Sequence, residues 1–142
     1  MKLISILVSG ACVAALSCAA AQAAPGIAGT WLATYDGGVH IAYLQWQKGG
    51  TASEIVDFAS KTGNVQLGDW STDGRGTYTL LLTGWTYDTK GNARTGRFVK
   101  TEDEVLSDGT YSGTFEVTYY DLTGNITFQH DGTVTAVRIE KQ

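Results

Sequence analysis

Residues Thr77–Asn92 read "TYTLLLTGWTYDTKGN", an alternating run that ends in a turn. In an extended chain successive side chains point to opposite faces, so Tyr78, Leu80 and Leu82 share one face and Thr77, Thr79 and Thr83 the other. Threonine, tyrosine and tryptophan favour such a pleated surface. The run then meets Asp88-Thr89-Lys90-Gly91-Asn92, which is hairpin chemistry. An aspartate at the first turn position accepts backbone N–H bonds, and a glycine at the fourth takes the positive φ of a bulge.

The pattern occurs twice. Gly76-Thr77-Tyr78 and Tyr87-Asp88-Thr89-Lys90-Gly91-Asn92 return, displaced by 33, as Gly109-Thr110-Tyr111 and Tyr120-Asp121-Leu122-Thr123-Gly124-Asn125. A duplicated Asp/Asn site for Ca²⁺ or sugar is one reading, but neither copy has the run of alternating acids that a Ca²⁺ loop needs. Repeated long hairpins account for both copies.

The rest of the chain follows suit. Further turn signals stand at 36–38 (DGG), 48–50 (KGG), 61–64 (KTGN), 72–76 (TDGRG), 107–109 (SDG) and 131–132 (DG), with alternating segments between them. Helical periodicity is almost absent. The spacing predicts eight strands near 28–35, 39–47, 53–58, 64–71, 75–87, 93–103, 110–120 and 125–139. Short connections favour an up-and-down antiparallel meander. Closing it into an all-β barrel removes both exposed edges and encloses a small cavity.

Residues 1–23, "MKLISILVSGACVAALSCAAAQA", have one cationic residue, an apolar stretch and an Ala21-Gln22-Ala23 ending. They read as a secretory signal peptide cleaved before Ala24, which places the product outside the cytoplasm, secreted or periplasmic. A lipoprotein signal ending at Cys18 and a membrane anchor are the alternatives, the anchor being short for a span. Cleavage leaves residues 24–142 as one domain of 119 residues, and both cysteines (Cys12 and Cys18) leave with the signal. The domain then has no disulfide and no thiolate, so its stability must come from a core. It keeps 9 basic and 14 acidic residues, a net charge of −5. That balance argues against nucleic acid or anionic membrane as a partner.

One short motif stands near the new terminus: Gly29-Thr30-Trp31 on the first strand, with Arg138 in "TAVRIE" on the last. A Gly-x-Trp and a distant Arg in an eight-stranded secreted meander resemble the calycin pattern of lipocalins and avidins. The resemblance implies that Trp31 closes the barrel floor, that Arg138 lies across its ring, and that Gly29 lets the entering chain pass beneath. It does not extend to biotin. Where avidins place polar biotin-binding residues after this Trp, the chain has Ala33 and Gly37.

With four Trp, seven Tyr and four Phe, the interior is expected to be aromatic. Trp46, Trp85, Tyr78, Tyr111, Phe115 and Tyr119 are the candidate ligand-binding residues, suited to a flat apolar molecule held by a few polar contacts. Candidate catalytic groups are Asp57, Glu116 and His40: an inward carboxylate would be raised by burial into a general acid or base. His130 in "FQHDG" reads as a solvated turn residue, Asp69 and Arg75 as a turn ion pair, and "TEDE" at 101–104 as a solvated face. No metal-ligand spacing, P-loop or G-x-S-x-G motif appears, so no metal or cofactor is expected. Three functions follow: binding of a small hydrophobic molecule; a barrel cyclase, isomerase or lyase; and a structural barrel without ligand.

Overall fold

A computed structural model of the protein describes residues 26–140. Eight strands run through it: β1 (Gly29–Tyr35), β2 (His40–Trp46), β3 (Thr51–Val56), β4 (Val65–Thr72), β5 (Thr77–Tyr87), β6 (Arg94–Ser107), β7 (Thr110–Asp121) and β8 (Ile126–Arg138). Each pairs antiparallel with the next in sequence, and β8 returns to β1, closing an up-and-down barrel. The fold is all-β, with one short 3₁₀ turn at Ser60–Thr62 between β3 and β4. No helix among the described residues is long and apolar enough to cross a membrane. The segment 1–23 and its cysteines lie outside the described residues.

The repeated hairpins are built as their turns require. Asp88 Oδ1 accepts the N–H groups of Lys90 and Asn92 at 3.0 and 2.9 Å, and Asp121 Oδ1 those of Thr123 and Asn125, both at 2.9 Å. Gly91 and Gly124 take φ of 74° and 92°. The Asn92 N–H is the main influence drawing the Asp88 carboxyl below its ordinary range. The Thr123 hydroxyl, with Asn125, draws Asp121 down to about 2. Each hairpin also carries a bulge, at Thr86/Tyr87 and at Tyr119/Tyr120. A bulge breaks strict alternation, so consecutive residues can serve the same face.

Two sequence expectations need correction here. Asp131-Gly132 is no turn: it lies in the middle of β8, where Gly132 sits opposite Phe115. Asp69 and Arg75 form no ion pair among the described residues. Asp69 is mid-strand opposite Leu81, and the turn is instead capped by Asp73 Oδ1, which accepts the Arg75 and Thr77 N–H groups at 2.8 and 3.2 Å.

One end of the barrel is shut. Trp31 is fully buried and donates from Nε1 to the Ile27 carbonyl at 2.8 Å, which holds the entering chain under the barrel. Trp31 pairs with Arg138 across β1 and β8, and the guanidinium lies 4.2 Å from the ring centroid. Arg138 also donates to the carbonyls of Ala28 and Gly26, at 2.8 and 2.6 Å. Gly29, at φ +148°, leaves the space that Arg138 Nη1 fills; a Cβ there would collide with it. Tyr111 packs against Trp31 at 4.9 Å, and Trp46, Trp70 and Tyr78 complete an aromatic plug with centroid separations of 5.8 to 6.3 Å.

Candidate functional site

Above the aromatic plug the interior becomes charged. Lys100, Glu102 and Glu104 alternate along β6 and all point inward, each at most 5 % exposed. The "TEDE" segment is therefore no solvated face; its two glutamates are fully buried. Glu54 of β3 joins them from across the barrel, equally buried. Gly113 stands beside Glu104 on β7, where a side chain would strike the Glu104 carboxyl.

The cluster is arranged around one ammonium. Lys100 Nζ lies 2.5 Å from Glu54 Oε2, 2.7 Å from Glu102 Oε1 and 2.9 Å from the Tyr35 hydroxyl, so its three protons all have acceptors. The Tyr35 hydroxyl makes a short hydrogen bond to Glu54 Oε1 and lies 2.8 Å from Glu102 Oε1. Burial alone would pull Lys100 down, but Glu102 and Glu54 outweigh it and hold the ammonium above its ordinary range. Burial pushes Glu54 up against the pull of Lys100. Burial, reinforced by Glu102 and Glu54, keeps the Tyr35 phenol protonated.

Glu104 has no cation of its own. Burial, and then the neighbouring Glu102, push its carboxyl up to about 10, so it keeps its proton at neutral pH. Neither of its oxygens, nor Glu102 Oε2, accepts an N–H or O–H from another group; protonated Glu104 can donate to the Glu102 carboxyl, which leaves one Glu104 oxygen without a partner. This has a pH consequence. The unfolded carboxyl titrates near 4.5 and the folded one near 10. The stability that protonated Glu104 contributes is complete below about pH 4.5 and is lost as pH climbs through that window, by at most about 1.4 kcal/mol per unit. Glu104→Gln should match the parent near pH 4 and exceed it increasingly between pH 6 and 9 in urea unfolding. A constant difference across that range would mean that Glu104 is not the titrating group.

Beyond the ion layer the barrel opens into a cavity of about 690 Å³. Its floor is Tyr35 and Lys100, and its walls carry Val56, Phe98, Phe115, Val117 and Tyr119. The bulges, with Thr95 of β6 and Thr127 of β8 as their extra residues, lie at the mouth, beside Thr86, Tyr87, Tyr119 and Tyr120. Phe58 and Phe128 flank the rim, each with a histidine: His40 meets Phe58 at 4.5 Å, and His130 stacks on Phe128 at 6.4 Å. His130 Nε2 lies 2.9 Å from Asp36 Oδ2, while Asp36 Oδ1 accepts the Thr133 N–H at 3.1 Å. The His130 contact, followed by Thr133, draws the Asp36 carboxyl below its ordinary range. Gln66 sits in the cavity wall, 4 % exposed, and its Oε1 takes no hydrogen bond from the protein.

The structure divides the residues singled out in the sequence. Phe115 and Tyr119 line the cavity. Trp46, Tyr78 and Tyr111 face inward but at the opposite, plugged end, so they support the floor instead of the cavity. Trp85 points outward, 52 % exposed, with the Arg94 guanidinium 4.5 Å above its ring. Glu116 also faces solvent, because it is out of phase with the inward Phe115 and Val117. Asp57 is exposed beyond β3 and meets His40 Nδ1 at 3.2 Å; of that pair only His40 borders the cavity. His130 is in β8 at the cavity mouth and not in a turn. The ion layer was missed, although Phe98 and Leu106 bracket it in phase and so mark the inward face. Among the described residues no three His, Cys, Asp or Glu side chains are placed to hold a metal ion.

No protein-family model, curated protein or solved structure matches the chain.

Proposed function

We propose that the protein is a secreted, calycin-like barrel that binds one small apolar or aromatic molecule in the open half of its interior. The observation that carries this reading is the aromatic-walled cavity of about 690 Å³, within the volume range of small-molecule sites. The buried ion layer around Lys100 and the aromatic plug lie beneath it, so the space is bounded and does not run through the barrel. The Trp31–Arg138 stack supports the calycin likeness, and the composition of residues 1–23 supports secretion.

The four tryptophans do not line this cavity, so a neutral apolar fluorophore is a better reporter than intrinsic emission. N-phenyl-1-naphthylamine should bind one per chain, with enhanced and blue-shifted fluorescence. Val117 projects from β7 into the cavity wall. Val117→Trp should occupy the space and weaken binding at least tenfold, with the thermal midpoint little changed. Equal binding by parent and variant, or none by the parent, would remove the proposal.

A further inference from the structure

We infer that the ligand of this cavity is an organic cation: an aromatic or aliphatic body bearing an ammonium or similar positively charged donor. The inference rests on the cavity being the ligand site and deepens that reading by naming the charge of the ligand. Three observations carry it, namely the charge balance of the lining, its aromatic surface and an unpartnered amide.

The charge balance comes first. Among the described residues Lys100 is the one lysine or arginine that borders the cavity, and it invites the opposite reading, a carboxylate ligand anchored on its ammonium. Its geometry argues against that. Glu54, Glu102 and Tyr35 take all three of its protons. With Glu104 neutral, the remaining two carboxyls of the cluster still match or exceed its single charge, so the floor offers no free positive charge. An incoming carboxylate would have to displace a buried acceptor and leave it unpaired. At the mouth stand two carboxylates, Asp36 and Asp121, both drawn to the ionised side. The groups facing Asp36 are His130 and the Thr133 N–H, with His40 nearby on β2. Those facing Asp121 are its own turn, Thr123 and Asn125, and, in a neighbouring cleft outside the cavity, Arg94 and Arg97.

The surface between floor and mouth is made of rings. Tyr35, Phe98, Phe115, Tyr119, Phe58 and Phe128 all border the cavity. Aromatic faces are negative, and a cation within about 6 Å of a ring centroid is attracted to it, most strongly where water is displaced. The cavity already shows this preference: Lys100 Nζ lies 4.3 Å from the Tyr35 centroid. Gln66 then supplies a hydrogen-bonding partner. Its carbonyl oxygen is unpartnered in the wall, and rotation of the amide presents it to a donor N–H. The domain's net charge of −5 adds long-range attraction for a cation.

Three probes with one body separate the possibilities: 4-phenylbutylammonium, 4-phenylbutanol and 4-phenylbutyrate, titrated calorimetrically into the mature chain at pH 7.5 and low salt. The ammonium should bind at least tenfold more tightly than the carboxylate, with the alcohol between them. Asp36→Asn should narrow the preference of ammonium over alcohol at least threefold. Equal affinities, or tighter binding of the carboxylate, would overturn the cation inference while leaving an apolar site in place. Absence of binding by all three, together with no uptake of N-phenyl-1-naphthylamine, would overturn the cavity reading as well.

Discussion

Lys100→Met should destabilise the barrel by about 3–5 kcal/mol at pH 7.5, the cost of leaving buried carboxylates without their cation. Glu54 and Glu102 are fully buried, and each meets Lys100 within 2.7 Å. Methionine fills much of the same volume, so the loss is electrostatic and little of it comes from packing. The carboxyls can relieve the strain only by taking up protons, so the deficit should shrink as the pH falls towards 4. Urea unfolding at pH 7.5 and 4.5 reads both parts. A control separates charge from shape: Lys100→Met combined with Glu54→Leu and Glu102→Leu removes every member of the trio and should recover most of the stability. A single variant within about 1 kcal/mol of the parent at pH 7.5 would show that the carboxyls do not depend on Lys100.

The same ion layer marks the boundary of what the sequence could tell. Strand positions were legible because alternation and turn chemistry agree: Asp88 and Asp121 both cap their turns, and the bounds of β5 and β7 lie within two residues of expectation. Along "FVKTEDEVLS" the alternation is equally clear, but hydropathy assigns the faces wrongly. Phe98, Lys100, Glu102, Glu104 and Leu106 share the inner face, while Val99, Thr101 and Val105 share the outer one. Charges that neutralise one another inside a barrel look, one by one, like solvated residues. Only their shared phase with Phe98 and Leu106 betrays them.

Position along the barrel was the second thing hidden. Tyr111 and Tyr119 lie on the same inner face of one strand, so alternation alone gives them the same role. At about 3.3 Å per residue they are roughly 26 Å apart, at opposite ends. Which end opens depends on where the entering chain crosses, and Ile27 and Trp31 settle that by plugging the end nearer Tyr111. The cavity then falls to Phe115, Tyr119 and the residues above Lys100.

That plug gives the second large effect. Trp31→Ala should cost about 3–5 kcal/mol, because it empties a fully buried site at the centre of the floor. Arg138→Ala should cost less, about 1–2 kcal/mol, as a cation–π contact is weaker than a filled core. The two should not add. The guanidinium lies 4.2 Å from the ring, so once the indole is gone Arg138 has lost its stacking partner. It still holds the carbonyls of Ala28 and Gly26, and its removal therefore keeps part of its effect in the Trp31→Ala background. A double-mutant cycle should accordingly show a coupling of at least about 0.5 kcal/mol, smaller than the full cost of Arg138→Ala. Additivity within error would mean that the contact contributes nothing and that Arg138 acts only by tying down the entering chain. A coupling equal to the whole Arg138 effect would mean the reverse: the carbonyl hydrogen bonds form only while the ring holds the guanidinium in place.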